Sequence, residues 1–227
     1  MASSSQIVPQ VAPRSRPAAA RRRGRVLERA ILDATLARLL AVGWKGLTIE
    51  GVAAAAQTGK AAVYRRWSSK ADLVHDALRA GLPRSAPAPD HGTLREDLVG
   101  FCRGMREAMY SPSGAALRAV IHECDHADAA RFSKLMEDEV LEPGKRLLRE
   151  IVRRGAERGE ARPDAVGPMT EDVVPALMIY RLKVCSMELT EQDAVAIVDE
   201  VMLPLLRDPA HAGAGDRVRA ARGRGVM

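Results

Sequence analysis

Five side chains that can bind a polyanion are close together in the chain: Lys60, Tyr64, Arg65, Arg66 and Lys70. Ammonium, guanidinium and phenol groups all donate hydrogen bonds to phosphate oxygens, and an arginine can also pair with the edge of a guanine base. In a helix, residues three or four positions apart lie on one face. This cluster therefore predicts a surface that contacts nucleic acid.

A second basic cluster comprises Arg21, Arg22, Arg23 and Arg25. Arginines in such an arm can enter a narrow minor groove. The alternative is a solvated tail that attracts phosphates without sequence preference. Both interpretations remain open at the level of sequence.

The net charge of +6 is unevenly distributed along the chain. Residues 1–90 contain 15 Lys and Arg against 6 Asp and Glu, a net +9, whereas residues 91–207 contain 16 against 21, a net −5. A basic first part favours a polyanionic partner, and the acidic remainder indicates a different role.

The composition favours an all-α protein. Aromatic residues are 3% of the 227 residues, while the helix formers Ala, Leu, Arg and Glu are abundant. No run of 18 apolar residues predicts a transmembrane helix, and the N-terminus lacks the apolar segment of a signal peptide. Three widely spaced cysteines make no disulfide framework. We therefore expect a reduced, cytoplasmic protein.

Two short helices should position the basic residues. An apolar stripe predicts a helix over 26–42 that Gly43 ends, and Thr48 is a suitable N-cap for the next helix. Residues 57–59 break the pattern before a second short helix over 60–66. This order predicts a helix-turn-helix whose second helix enters the major groove.

The predicted second helix has an inner and an outer side. Val63 and Trp67 should face the core, whereas Thr48 and Lys70 should lie where phosphates pass. The predicted outward residues are Lys60, Ala61, Ala62, Tyr64, Arg65 and Arg66. Ser69 with Asp72 resembles a capping box that opens the following helix.

A linker at 82–92, with three prolines, separates two predicted domains. The predicted division is a disordered basic tail (1–24), a three-helix DNA-binding domain (25–82), an effector-binding and dimerisation domain (83–207) and a disordered tail (208–227). About nine helices are expected. Those of the second domain are 93–109, 115–124 after a turn at 111–114, 127–159 with a bend near Pro143, 171–187 after an N-cap at Thr170, and 191–206 after Thr190.

The helix over 171–187 is apolar on nearly every side. Such a helix must be covered all round, and in a small domain another subunit can supply part of the cover. A homodimer through 171–187 and 191–206 is therefore expected.

Short motifs connect the first domain with a known family. They are Ile-Leu-Asp-Ala at 31–34, Gly-Trp at 43–44, Leu-Thr-Ile at 47–49, Val-Ala at 52–53, Val-Tyr-Arg-Arg-Trp at 63–67 and Ser-Lys-Ala-Asp-Leu at 69–73. With them, the stretch 31–78 resembles the DNA-binding domain of the TetR family of transcriptional regulators. Pieces at 143–146, 158–160, 162–164 and 179–182 are similar to one variety of that family's C-terminal domain.

The resemblance implies a homodimer on a palindromic double-stranded DNA operator, with recognition helices about 34 Å apart. It also implies a repressor that a small molecule releases. In the family, residues matching Tyr64 and Lys70 contact phosphate, and the residue matching Thr48 touches the DNA backbone. Those matching Lys60, Ala61 and Arg65 face the groove.

The sequence departs from the family pattern in the turn. Gln57 stands where glycine is usual, so this position must avoid a positive φ or adopt it at a cost. Gly59 stands where serine is frequent, which weakens the cap of the recognition helix.

Candidate effector-binding residues lie on helices that should surround a cavity, although for any single one of them a place in the core is the simpler interpretation. They are Phe101, Met105, Met109, Ile121, Met136, Met178 and Arg181. An apolar pocket of this kind predicts a hydrophobic effector, with aromatic and cationic molecules included.

No cofactor, metal or enzymatic activity is expected. His122 and His126 have a metal-clamping spacing on a helix, with Cys124 between them, but a helix end is the simpler interpretation. Two other functions remain open. One is a non-specific or architectural nucleic-acid binder, and the other is a helical ligand-binding protein with a degenerate helix-turn-helix.

Overall fold

A computed structural model describes residues 24–83 and 87–207, and all regular structure in these ranges is helical. The predicted all-α class is confirmed. The helices are α1 (Arg25–Gly46), α2 (Ile49–Ala55), α3 (Lys60–Tyr64), α4 (Lys70–Gly81), α5 (Leu94–Tyr110), α6 (Pro112–Glu123), α7 (His126–Met136), α8 (Glu142–Glu157), α9 (Pro168–Lys183), α10 (Glu191–Ala196) and α11 (Leu203–Leu206). None of them is long and apolar enough to cross a lipid bilayer.

Two π-helical turns join neighbouring helices without a break: Glu137–Leu141 links α7 to α8, and Ile197–Met202 links α10 to α11. Each precedes a proline, Pro143 or Pro204, by two residues. Proline has no N–H and its ring clashes with the carbonyl four residues back, so a wider turn relieves both problems. The irregularity expected near Pro143 takes this form.

Side-chain caps begin several helices as predicted. The hydroxyls of Thr48, Ser69 and Thr190 each accept a hydrogen bond from the backbone N–H three residues later. The prediction for Thr170 is wrong, because α9 begins at Pro168 and the Thr170 hydroxyl donates to the carbonyl of Ala165.

The predicted turn at 111–114 is also wrong. The Ser111 hydroxyl caps α6, which begins directly at Pro112. Proline is favourable at the first helical position, where no intrahelical N–H bond is lost, so Ser-Pro starts a helix here.

The buried side chains form two hydrophobic cores. The first joins α1–α4 to α6 and α7; its members include Ile31, Leu39, Trp44, Val63, Leu73, Leu78, Leu117, Val120, Phe132 and Leu135. The second joins α5 to α8–α11; its members include Leu98, Phe101, Leu148, Ile151, Val174, Met178 and Met202. The four N-terminal helices therefore share a core with two helices that follow the linker.

Trp44 lies where these elements meet. Its backbone N–H donates to the Glu123 carboxylate at 2.8 Å, and its ring packs edge-on against Phe132 with 5.5 Å between centroids. The Lys70 ammonium donates to the Trp44 carbonyl at 3.0 Å and lies 4.1 Å from the ring centroid. One residue thus connects the end of α1 with α4, α6 and α7.

Ion pairs supplement this junction. Arg131 of α7 pairs with Asp72 of α4 at 2.7 Å. Hydrogen bonds from the Ser68 and Ser69 hydroxyls, and then the bond from Arg131, hold the pKa of Asp72 well below its usual range. The charge of Asp72 is therefore retained at any pH at which the fold is expected to persist.

Gly43 ends the regular part of α1 with φ 69° and ψ −179°, a conformation open essentially only to glycine. A Cβ there would also lie 2.8 Å from Glu123 Oε2. We expect Gly43→Ala to lower the free energy of unfolding by about 1–3 kcal/mol, measured by urea denaturation.

Gly104→Ala is the matched control. Gly104 lies in α5 with no heavy atom within 4 Å of an added Cβ, so alanine should stabilise the protein by about 0.5–1 kcal/mol. Equal stability of the Gly43 variant and the wild type would show that the left-handed conformation is not required.

Candidate nucleic-acid interface

One side of α2 and one side of α3 pack against the first core. Ile49 and Val52 of α2, Val63 of α3 and Trp67 just after it are buried. The second helix is shorter than predicted, because it ends at Tyr64 and Arg65 is its C-cap.

The exposed face of α3 carries Lys60, Ala61, Tyr64 and Arg65. Their spacing of one and four residues places them side by side. Tyr64 is 46% exposed although it is a large aromatic residue, which suits a contact made outside the protein. Among the described residues, the Arg65 guanidinium has no hydrogen-bond or ion-pair partner.

Two predicted outward residues behave differently. Ala62 is 7% exposed, so the prediction that it faces DNA is wrong; at this position the helix turns toward the core. Arg66 is exposed, but its guanidinium donates to the Ala62 carbonyl at 3.0 Å and so folds back on its own helix.

The turn between α2 and α3 contains Gln57 and Gly59, the two residues that depart from the family pattern, and its backbone accommodates both. Gln57 adopts φ 54°, in the left-handed region that favours glycine, at a cost of about 1–2 kcal/mol. Gly59 has φ −86° and needs no such freedom; it is the N-cap of α3 and offers no side-chain bond. The recognition helix is therefore held by its core side rather than by its cap.

Glu50 is an acidic residue on this surface that sequence reasoning missed. Its carboxylate pairs with Lys60, whose ammonium also lies 5.5 Å from the Tyr64 ring centroid. The hydrogen bond with Glu50 raises the pKa of Lys60. The only signal in the sequence was the position of Glu50 in the first turn of α2 beside Thr48.

The remaining predicted DNA contacts lie around α3. Thr48 is exposed and caps α2, whereas Lys70 is half-buried with its ammonium on Trp44. That ammonium has two further N–H donors for a phosphate. Arg25 is exposed at the start of α1, and Arg21, Arg22 and Arg23 lie outside the described residues.

A groove of about 760 Å³ between α1 and α2 adds cations to this side. Arg25, Arg29 and Arg38 line it; Arg29 pairs with Asp33, but Arg38 Nε has no hydrogen-bond partner within the described residues. No DNA contact was predicted for Arg38 from the sequence.

A small cavity of about 50 Å³ lies in the C-terminal half. Of the predicted effector-binding residues, Met105, Met109 and Met136 line it. The others do not: Phe101 and Met178 are in the second core, Ile121 packs on the first core, and Arg181 pairs with Asp193 at 2.8 Å. Their helical spacing predicts that these four residues face inward. It does not distinguish a position in the core from a position in the cavity wall.

His122 and His126 do not share a helix. The first lies in α6, which ends at Glu123, and the second starts α7, with Cys124 extended between them. The spacing that would clamp a metal on one helix therefore does not apply. Within 24–83 and 87–207, no three potential ligands come together to hold a metal ion.

The short helices α2 and α3, joined by a tight turn and exposing Tyr64 and Arg65, form a helix-turn-helix, the motif of a class of DNA-binding proteins. The family model "Bacterial regulatory proteins, tetR family" matches residues 31–77, and "Tetracyclin repressor-like, C-terminal domain" matches residues 88–201. The chain belongs to the TetR family of transcriptional regulators.

Individual relatives agree with this assignment. The chain is 32% identical over 183 residues to an uncharacterized HTH-type transcriptional regulator of Mycobacterium tuberculosis, covering 79% of this chain and 87% of that protein. It is 29% identical over 189 residues to the DNA-binding transcriptional repressor TetR of Mycobacteroides abscessus, covering 83% and 98%.

Solved structures share the fold. A TetR transcriptional regulator from Agrobacterium tumefaciens superposes with a TM-score of 0.62 at 20% identity, covering 82% of this chain and 97% of that one. The regulator FadR of Bacillus subtilis, solved in complex with stearoyl-CoA, superposes with a TM-score of 0.57 at 12% identity, covering 78% and 97%.

Because Glu50 both neutralises Lys60 and repels phosphate, we expect Glu50→Gln to strengthen binding to a short duplex of random sequence. The slope of log K against log salt should steepen by about one charge, since Lys60 then reaches a phosphate. Fluorescence anisotropy over a salt series measures both quantities.

Glu157→Gln is the control, because Glu157 is an exposed residue of α8 that pairs with Arg153 away from α3. It should change neither quantity. Unchanged affinity in the Glu50 variant would mean that Lys60 does not approach DNA.

Proposed function

We propose that the protein is a repressor that binds a palindromic operator as a homodimer and is released by a small molecule. The observation that carries the DNA-binding part is the exposed face of α3, where Tyr64 and Arg65 have no hydrogen-bond or ion-pair partner among the described residues, on a helix anchored by Val63. In this proposal Arg65 reads a base edge, and Tyr64 and Lys70 hold phosphates.

Exposed apolar side chains along α9 support a homodimer. Met169, Ile179, Tyr180 and Val184 are 83%, 40%, 54% and 68% exposed, and Leu205 of α11 is 43% exposed. Large apolar side chains exposed to water in such number on neighbouring elements are costly and support an interaction site. The proposed interface consists of α9 with α10 and α11.

The position of the small cavity supports release by an effector. Leu82, which directly follows α4, is one of its lining residues. The FadR structure was solved with stearoyl-CoA, so this fold is compatible with a small-molecule ligand. The proposed domains remain 25–82 for DNA and 83–207 for effector and dimer, and the protein would act in the cytoplasm, where its operator lies.

Selection of genomic fragments by the purified protein tests the proposal. We expect enrichment of one palindromic sequence with half-sites about one helical turn apart. Arg65→Ala should weaken binding to it by about 1–3 kcal/mol and relax the preference at one base pair per half-site. Arg146→Ala, an exposed arginine of α8, is the control and should leave binding unchanged.

Other outcomes would decide against the proposal. Steep salt dependence with no enriched sequence would identify an architectural binder. An equal loss over all sequences for Arg65→Ala would make Arg65 a phosphate contact.

The dimer is tested by Val184→Glu, which places a charge in the proposed interface. We expect dimerisation to weaken by about 2 kcal/mol or more, because a carboxylate would be buried without a partner. Sedimentation velocity measures the monomer fraction. Leu40→Glu, at an exposed position of α1, is the control; if both variants remain dimeric, α9 is not the interface.

A further inference from the structure

The cavity in the C-terminal half is lined almost entirely by apolar residues. Helices α5, α6, α7 and α9 and the π-helical turn Glu137–Leu141 surround it. Its apolar lining residues include Met105, Met109, Leu117, Met136, Leu141 and Ile179. Arg118 is the one charged side chain among all its lining residues in the described part of the chain.

Arg118 has no acidic partner in the part of the chain that the structure describes. Its guanidinium donates to the Met109 carbonyl at 2.5 Å, and no Asp or Glu of residues 24–83 and 87–207 pairs with it. The side chain is half-buried, and this burial lowers the pKa of Arg118. Within the described residues, this cation therefore donates a hydrogen bond only to a neutral carbonyl.

Several other arginines of the same half are paired with carboxylates, although Arg106 donates to the Leu189 carbonyl instead. Arg149 binds Glu171 at 2.5 Å, Arg158 binds Asp97 at 3.2 Å, and Arg95 binds Asp199 at 2.6 Å. The net charge of −5 over 91–207 means that carboxylates are plentiful there. Arg118 instead lines an apolar cavity and is paired with none of these carboxylates within the described residues.

The chemistry of Arg118 defines what would complete the site. A half-buried cation without a counter-ion is unfavourable, and an anion that enters the cavity removes that penalty. A guanidinium has five N–H donors in a planar fork, of which the Met109 carbonyl takes one. The remaining donors match the two oxygens of a carboxylate.

The walls of the cavity define the rest of the ligand. A volume of about 50 Å³ holds only a few atoms, so a larger body requires the walls to move. Met105, Met109 and Met136 are unbranched and can repack around an added hydrocarbon group. A short apolar body is therefore accommodated, whereas a second polar group would meet no partner.

We propose that the effector is a small apolar monocarboxylate, bound with its carboxylate on Arg118 and its hydrocarbon part against Met105, Met136 and Leu141. This inference rests on the proposed function, in which the C-terminal half binds an effector. The sequence suggested a hydrophobic effector and included aromatic and cationic molecules. The proposal excludes the cationic ones, because Arg118 repels them.

Calorimetric titration of the full chain with three six-carbon probes tests the charge requirement. Hexanoate, hexanamide and hexylamine are similar in size and differ in charge. We expect hexanoate to bind at least about tenfold more tightly than hexanamide, as a charge-assisted bidentate bond requires. Hexylamine should not bind.

Variants of Arg118 test where the carboxylate lies. In Arg118→Gln the preference for hexanoate over hexanamide should fall to about twofold or less, while hexanamide binding is unchanged. Arg118→Lys keeps the charge without the fork and should give an intermediate preference, which serves if the glutamine variant does not fold. Arg146→Gln, at an exposed position of α8, should retain the full preference.

Several results would overturn the inference. They are no hexanoate binding at millimolar concentration, equal binding of the amide, or a full preference that survives in Arg118→Gln. Operator binding without any probe is measured separately by anisotropy. A wild-type protein that binds its operator but shows no preference for the carboxylate refutes this inference alone. A protein without operator preference refutes the proposed function and leaves the titration interpretable.

Discussion

The packing of α1–α4 against α6 and α7 is the constraint on which the rest of the structure depends. The recognition helix α3 has five residues, too few to be stable alone, and it lacks a side-chain cap. Its position is set by Val63 and Trp67, which are buried in a core that extends to Phe132. Without that core, the exposed residues of α3 would have no fixed geometry.

The first core, which holds α1–α4, and the cavity share residues. Leu117 of α6 is fully buried in the first core and also lines the cavity. Glu123, at the end of that helix, accepts the backbone N–H of Trp44. A ligand shifts the DNA-binding unit only if it prefers one arrangement of these contacts over another. The three methionines of the lining, Met105, Met109 and Met136, are flexible enough for the cavity to have two such arrangements.

Local patterns in the sequence predicted the helices well. Contacts between residues far apart in the chain could not be predicted from such patterns. Apolar spacing and the hydroxyls of Thr48 and Thr190 located helices because both act within a few residues. Tertiary packing decided that Ala62 is buried and that the Lys70 ammonium lies on Trp44, 26 residues away. For the candidate site, the basic face was therefore predictable and the partners of its cations were not.

The charge pattern illustrates the same limit in physical terms. An excess of +9 over residues 1–90 suggests a strongly attractive DNA surface. In the folded chain, however, Lys60 is paired with Glu50 and Arg66 bonds its own helix, so part of that charge is already engaged. Arg65 keeps its donors free of protein partners within the described residues, and this is why it is the side chain proposed to read a base. Net charge then governs how strongly DNA is attracted, while the few unpaired groups govern which sequence is held.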